Sequence, residues 1–310
     1  MQSPFIFDVT KGASFLSNRK EDLMAKEKIT DKPSIETLVE LAREGRRDAL
    51  TELIQRIQDT IYRLALRTLF LPADAEDATQ EILIKIITHL SEFRGESRFS
   101  TWYFRIATNH LLTTHKRRAE KWGYSFELCE QSIGEALSMS SAEILETPEE
   151  SLLAEEVRLA CLQGMLLCLS REIRLVFILG VVFDVTSQEG AHILDITPGA
   201  FRQRLSRGRK QIQNFMTRKC SLIHPKNPCT CAKLIPLEIK IQFLDPENLR
   251  FANHRCYARR NHSVDSRLEE LNEVKRLAVL FRSHPAYAAP GTLVESIKNL
   301  VESGRFEIFS

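Results

Sequence analysis

The amino-acid sequence predicts an all-α chain: a four-helix N-terminal bundle, a C-terminal helix-turn-helix unit, and a small, mainly helical extension. Three observations predict it. Apolar residues recur at spacings of three and four along most of the chain. Capping residues stand where several of those runs begin. Stretches with strand-like alternation are few. A length of 310 residues exceeds what one modest domain needs, so two or three units are expected.

Taken in order, residues 1–32 show no sustained period and read as a flexible leader. Ser34 opens a helix with Ile35, Leu38, Val39 and Ala42 on one face, which Gly45 breaks. A second helix carries Leu50, Leu53, Ile54, Ile57, Ile61, Leu64 and Ala65. Leu71-Pro72-Ala73 is expected to be a turn. Asp74 is expected to cap a third helix with Ala78, Ile82, Ile86 and Leu90 inward. Ser100 is expected to cap a fourth, running to about Arg118. Residues 119–147 have weak periodicity and read as an acidic linker. Helical sequence resumes at Pro148 and continues to Lys219, forming the unit 148–219. The extension, 220–310, begins with an irregular segment punctuated by Pro225, Pro228 and Pro236. Two amphipathic helices follow, one with Val264, Leu268, Leu271, Leu277 and Leu280, the other with Leu293, Val294, Ile297, Leu300 and Val301. The extension is expected to be a small module tethered to the rest.

Composition excludes several classes. Apolar residues make up 43% and charged residues 27%, which suits a soluble chain, and no run approaches the ~20 apolar residues of a membrane helix. The N-terminus has no basic-then-apolar pattern of a secretory signal, so the cytoplasm is the expected compartment. The net charge of +2 conceals an uneven distribution. Residues 119–156 hold ten acidic residues and one basic, whereas residues 201–219 hold seven basic and no acidic ones. Seven cysteines, an odd number with Cys161 and Cys168 in apolar helical sequence, do not read as a secreted disulfide framework. The sequence has neither a GxxxxGK loop nor an HExxH helix, so nothing points to an ATPase or metalloprotease, and no enzyme activity is expected.

Two segments carry the functional signal. Thr186-Ser187-Gln188-Glu189 is a capping box, Asp195-Ile196 makes a turn, and Thr197 caps a helix with Pro198 at its first position. That helix bears Arg202, Gln203, Arg204, Arg207, Arg209 and Lys210 around the apolar anchors Phe201, Leu205 and Ile212. Two capped helices joined by a tight turn suit the DNA major groove, with early residues near base edges and later arginines on phosphates. Upstream, DAEDATQE (74–81) puts Asp77, Gln80, Glu81 and Ile84 on one helix face, opposite the apolar stripe. FRGESRFSTWYFRIATNHLLTTHKRR (93–118) then interleaves Phe99, Trp102, Tyr103 and Phe104 with Arg105, Lys116, Arg117 and Arg118. Rings among cations suit unpaired DNA, although some of these rings are expected to be core.

On these residues the chain resembles the sigma factors of bacterial RNA polymerase. Residues 74–118 look like the family's second conserved region and residues 170–215 like its fourth. Their order, with an acidic connector and no intervening domain, is similar to the compact extracytoplasmic-function group. The two matches with their supporting helices cover a little over half the chain. The resemblance implies a subunit that recruits core RNA polymerase to promoter DNA and assists opening by binding energy, with no cofactor required. Asp77, Gln80, Glu81 and Ile84 would contact the polymerase clamp. The segment from Phe99 through Trp102 to Tyr103 would engage the minus-ten element and capture an unstacked base, with Arg117 and Arg118 on nearby backbone. Thr197, Arg202, Gln203, Arg204, Arg207, Arg209 and Lys210 would serve the minus-thirty-five element, and the linker would pass through the RNA-exit path. An anti-sigma factor is a candidate further partner.

Some residues depart from the family pattern. Gly190 stands where a larger apolar residue is usual, and a mid-helix glycine costs roughly 1 kcal/mol against alanine. Asp195 replaces a turn glycine, a conformation aspartate tolerates better than most residues. The segment 180–185 is also atypical. In the extension, Cys220, Cys229 and Cys231, with His254, Cys256 and His262, leave three readings open: packed thiols, a zinc site built on Cys220, Cys229, Cys231 and Cys256, or a redox pair. Two other functions compete: a helix-turn-helix regulator that is not a polymerase subunit, and a metal- or thiol-dependent activity in the extension.

Overall fold

The computed structural model describes residues 33–114, 118–139, 147–252, 272–285 and 287–302. The expected leader, Lys116, Arg117, His254, Cys256, His262, Val264, Leu268 and Leu271 lie outside the described residues. The described residues are helical, with an isolated bridge at Cys220 and Cys229 and no strand among them.

Helix α1 (Ile35–Arg43) starts where expected, because the Ser34 hydroxyl accepts from the Thr37 amide at 3.0 Å. Helix α2 (Arg47–Leu69) is the central element, buried along almost its whole length between Ala49 and Leu69. Its end is strained. Phe70 takes φ 75°, ψ −54°, and the Leu71 amide donates to the Leu69 carbonyl at 3.0 Å. That is a tight three-residue turn that non-glycine residues rarely adopt. The ring that fixes it is fully buried among Trp122, Tyr124, Phe243 and Phe251, with centroids 5.5–6.3 Å away. Strain of this kind persists only where packing over-determines it.

Two expected caps are displaced. Helix α3 (Pro72–Thr88) begins at Pro72, with Leu71 as the cap and Asp74 buried in the first turn. Proline suits that first position, so the expected turn is itself the helix start. Helix α4 (Phe99–Thr113) starts one residue before Ser100 and stops short of Arg118, which opens a separate turn, α5 (Arg118–Lys121). Helices α1 to α4 pack together as the expected four-helix bundle.

The acidic stretch differs more. Within it lies α6 (Phe126–Met139), whose Ile133 and Ala136 are buried, with Phe126, Cys129 and Leu137 packed alongside. The many acidic residues mask a genuine three-to-four spacing at 126, 129, 133, 136 and 137. Thr147 then makes a capping box with Glu150 and starts α7 (Pro148–Leu167).

Helix α8 (Arg171–Phe177) continues into one π-helical turn, 178–182. The expected capping box at Thr186 opens α9 (Ser187–Leu194), and Asp195 adopts φ 54°, ψ 49°, the left-handed conformation expected of it. Thr197 caps α10 (Pro198–Lys219), accepting from the Ala200 amide at 3.1 Å. Gly190 has a packing reason. A Cβ there would meet the fully buried Phe201 ring at 2.2–2.7 Å, so only glycine lets α9 and α10 approach this closely.

Arg174 joins the two halves of the chain. It is buried and donates to the carbonyls of Thr68 (2.6 Å), Leu166 (2.9 Å) and Leu169 (3.1 Å), and it pairs with Glu120 at 3.1 Å. Arg171 reaches the same carboxylate at 2.8 Å and the Leu111 carbonyl at 3.0 Å. Burial lowers the Arg174 pKa, and Glu120 opposes that shift. The ends of α2, α4 and α7, with α5 and α8, therefore meet at one charged junction.

The extension is not a free-standing module. Helix α11 (Cys231–Lys240) packs on α6 and α7, and it contains Pro236, which was expected in an irregular segment. Helix α12 (Glu273–Arg282) packs on the π-turn and α10, while α13 (Gly291–Glu302) packs on α2 and α3. Each amphipathic face is thus covered mainly by the other two units rather than by its neighbour. Polar contacts follow the same route. Glu156 accepts the amides of Arg250, Phe251 and Ala252 at 2.6–2.9 Å. Arg282 binds the Val181 carbonyl and Asp184, both at 2.6 Å. Asp59 accepts the Ala289 amide at 2.9 Å. The extension braces both the bundle and the helix-turn-helix unit. No helix among the described residues is long and apolar enough to cross a membrane.

Candidate nucleic-acid interface

Helix α10 holds its basic residues outward because its apolar anchors are fixed inward. Phe201, Gly208, Ile212, Phe215 and Met216 are buried, and Leu205 is half-buried. Arg202, Gln203, Arg207, Arg209 and Lys210 are exposed, and Arg204 is half-buried. The Thr197 hydroxyl is exposed at the helix start, where it serves as the cap. Arg202 lies against Ser187 of α9 at 3.4 Å. One continuous basic face therefore runs along the second helix of a helix-turn-helix, with the geometry that fits a DNA groove.

On α3, Asp77 and Glu81 are exposed and Gln80 and Ile84 half-buried, whereas Ala78, Ile82, Ile86 and Leu90 are fully buried. The Glu81 carboxylate lies 3.6 Å from His110, and Lys85 contacts the other ring nitrogen at 2.9 Å. The four candidate residues form one polar face with an apolar margin, as their spacing predicts.

The aromatic segment is more buried than a set of open base-stacking rings. Phe99 is 1% and Tyr103 7% exposed, and Phe104 is buried as well. Trp102 is half-buried and stacks on Phe99 at 5.6 Å with a 26° interplanar angle; Phe93 closes the cluster from the preceding loop. Arg118 begins α5, and Arg117 lies outside the described residues.

A further arrangement was not expected from sequence: α4 packs directly against α9. Phe104 meets Phe183 edge-on at 5.4 Å. Arg98 lies 3.7 Å from Glu189, and Arg105 lies 3.7 Å from Asp195. The aromatic-basic helix and the helix-turn-helix thus face each other. Nothing local could have revealed these pairs, since the partners are 79 to 91 residues apart in sequence.

Between α6, α7, α11 and the loop 241–252 lies an apolar cavity of about 320 Å³, bounded by Trp122, Tyr124, Cys129, Phe243 and Phe251 among others. Burial pushes the Glu238 carboxyl on its wall up to about 7. The extension's thiols lie close by. Cys220 and Cys229 are bridged through their backbones, and burial pushes Cys229 up to about 12 and raises Cys220 and Cys231 as well. Among the described residues no three His, Cys, Asp or Glu side chains come together closely enough to hold a metal ion. Cys220, Cys229 and Cys231 do not by themselves make such a group, and the other expected donors, Cys256, His254 and His262, lie outside the described residues.

Residues 53–121 match the family model of sigma-70 region 2, and residues 159–212 match that of sigma-70 region 4. The first match contains α3 and α4, and the second contains α9 and the basic face of α10. The chain is 30% identical over 181 residues to the ECF RNA polymerase sigma factor SigW of Bacillus subtilis, covering 58% of this chain and 95% of the relative. It is 31% identical over 193 residues to the ECF RNA polymerase sigma-E factor of Escherichia coli K12, covering 61% and 95% respectively. A Salmonella typhimurium sigma-E factor matches over the same length at the same identity. With the polar face of α3 and the basic helix-turn-helix both inside the matched regions, the chain belongs to the ECF family of RNA polymerase sigma factors and acts in transcription initiation.

Proposed function

We propose that the units divide the work of a cytoplasmic, cofactor-free initiation subunit between polymerase and DNA. The unit 33–118 binds core RNA polymerase through Asp77, Gln80, Glu81 and Ile84, and engages the minus-ten element around Trp102. The buried Phe99 braces Trp102, and the buried Tyr103 packs in turn on Phe99. The unit 148–219 reads the minus-thirty-five element with α10, and Arg117 and Arg118 follow the DNA backbone. An anti-sigma factor would compete for these same surfaces. The observation that carries this reading is the exposed polar face of α3 lying opposite a fully buried apolar stripe. A solvated face needs no such run of Asp77, Gln80 and Glu81 beside a half-exposed isoleucine, whereas a polymerase contact uses it.

Reversing the charge of Asp77 and Glu81 together is expected to weaken binding to purified core enzyme at least ~10-fold, with helical content and Tm retained. That corresponds to about 1.4 kcal/mol, a modest share of what charged interface contacts carry. Unchanged affinity in a pull-down removes the assignment.

The two arginines at opposite ends of α10 separate base from phosphate contact. Arg202→Ala is expected to reduce discrimination between upstream promoter sequences by ~1–3 kcal/mol. Arg209→Ala is expected to weaken all sequences alike and reduce the salt slope by about one. Footprinting titrations at several salt concentrations distinguish them, and equal, sequence-independent losses for both contradict the division.

In this reading the described arrangement is a closed one. Elements named for positions minus ten and minus thirty-five lie about 25 base steps apart, roughly 85 Å at 3.4 Å per step. With α4 held against α9, the chain cannot occupy both at once, so the two units separate on joining polymerase and DNA.

A further inference from the structure

Two thiols outside the proposed polymerase and DNA surfaces lie nearly in bonding position. The Cys129 sulfur, on α6, is 3.7 Å from the Cys168 sulfur at the end of α7, although the residues are 39 apart in sequence. We propose that Cys129 and Cys168 form a peroxide-responsive pair that closes to a disulfide and staples the connector 119–147 to the foot of the helix-turn-helix unit.

Geometry supports closure. A disulfide needs sulfurs ~2.05 Å apart, so the gap to be closed is less than ~2 Å, within reach of small χ1 rotations at both residues. Cys168 is the C-cap of α7, with its sulfur 3.6 Å from the Gly164 carbonyl one turn back. Both residues are half-buried rather than sealed. Cys129 also lines the 320 Å³ cavity, together with the exposed Trp122 and Leu128 and the exposed Ile241. A molecule the size of hydrogen peroxide therefore has a path to Cys129.

Chemistry assigns the order of events. The Cys129 and Cys168 sulfurs share a contact in which either thiol can donate, and the Cys168 thiol also lies 3.6 Å from the Gly164 carbonyl. Cys129 lines the cavity and Cys168 does not, so Cys129 is the sulfur that peroxide reaches first, reacting as its thiolate, and Cys168 is the thiol that resolves it. The Cys129 thiolate attacks the peroxide O–O bond, forming an S–O bond and releasing hydroxide, which takes up a proton to become water. The Cys168 sulfur then attacks the Cys129 sulfenic acid, forming the S–S bond and expelling a second water with the Cys168 proton. Two thiols lose two electrons and the peroxide gains them. The remaining described cysteines are poor competitors, because burial raises Cys161, Cys220, Cys229 and Cys231 and keeps them protonated.

The regulatory consequence rests on the closed arrangement proposed above. If α6 leaves α7 when the units separate on polymerase, a covalent tie between them holds the chain closed.

The test uses the full chain, reduced, then treated with hydrogen peroxide, quenched with N-ethylmaleimide and mapped by mass spectrometry. The expected product is a crosslinked peptide joining Cys129 to Cys168. Cys168→Ser is expected to stop at a Cys129 sulfenic acid that dimedone traps. Recovery of both cysteines as alkylated thiols, or a crosslink elsewhere, overturns the pair. In parallel, transcription with core polymerase is expected to fall at least ~10-fold on oxidation, by the stability a crosslink adds to the closed form, and to return with dithiothreitol. The Cys168→Ser protein is expected to keep its activity in mild peroxide. A mapped Cys129–Cys168 disulfide with unchanged transcription establishes the modification site and overturns the movement of α6, so failure of either part is recognisable.

Discussion

Replacing Arg174 with methionine is expected to lower the free energy of unfolding by about 3–5 kcal/mol, the usual consequence of removing one member of a buried charged cluster. The guanidinium is the shared donor for the Thr68, Leu166 and Leu169 carbonyls and for Glu120. Methionine fills most of the volume but donates nothing, so the carbonyls lose the guanidinium and Glu120, with side-chain exposure of 5%, loses one of its two arginine partners. Urea titration should show a lower midpoint with little change in slope. A single-variant loss below about 1 kcal/mol would mean that water replaces the guanidinium, contrary to the burial described.

Gly190→Ala sets two effects against each other. Helix propensity favours alanine in mid-helix by about 1 kcal/mol. The added Cβ, however, would lie 2.2–2.7 Å from three atoms of the Phe201 ring, and that ring is fully buried, with no free side to retreat to. Overpacking of this kind costs about 1–3 kcal/mol beyond any gain, so packing wins and the variant is destabilised. Because α9 and α10 meet at this point, upstream DNA binding should fall with it. Phe201→Leu in the Gly190→Ala background should restore part of both. Thermal melts and footprinting of the upstream element measure the two effects, and a Tm at or above the parent's would show that propensity dominates.

The glycine also shows where sequence reading reached its limit. Reading Gly190 as a departure from a family pattern, with an entropic cost, was sound local reasoning. Its purpose depends on Phe201, eleven positions away and across a turn. Features determined within one or two helical turns were legible: the Ser34 cap, the Thr186 box, the left-handed Asp195, the outward basic face of α10 and the two-sided character of α3. The cap expected at Asp74 lies three residues earlier, at Leu71, because Pro72 itself prefers the first helical position. Helix α6 was hidden by acidic residues that occupy its solvent side and leave only Ile133 and Ala136 fully inside. Pro236 suggested a break, yet it sits in a helix whose other face is held by α6 and α7. Least legible was which apolar face meets which. The tail helices each had a clear stripe, but a stripe does not name its partner, and here the partners are the bundle and the helix-turn-helix unit. The burial of Phe99 and Tyr103 belongs to the same class, since a run of four aromatics does not declare which rings turn inward.

The contact between α4 and α9 changes how salt acts on this chain. Glu189 and Asp195 are resident counter-ions for Arg98 and Arg105, at 3.7 Å each. A DNA phosphate that is to reach either arginine must first displace a carboxylate that belongs to the same molecule. Ordinary DNA binding releases small cations from the duplex and so weakens as salt rises. Here added salt also screens the internal carboxylate–guanidinium pairs, which are mostly exposed to solvent. The two influences oppose each other, and the net salt dependence reports the difference between an anion the chain carries and an anion the promoter supplies.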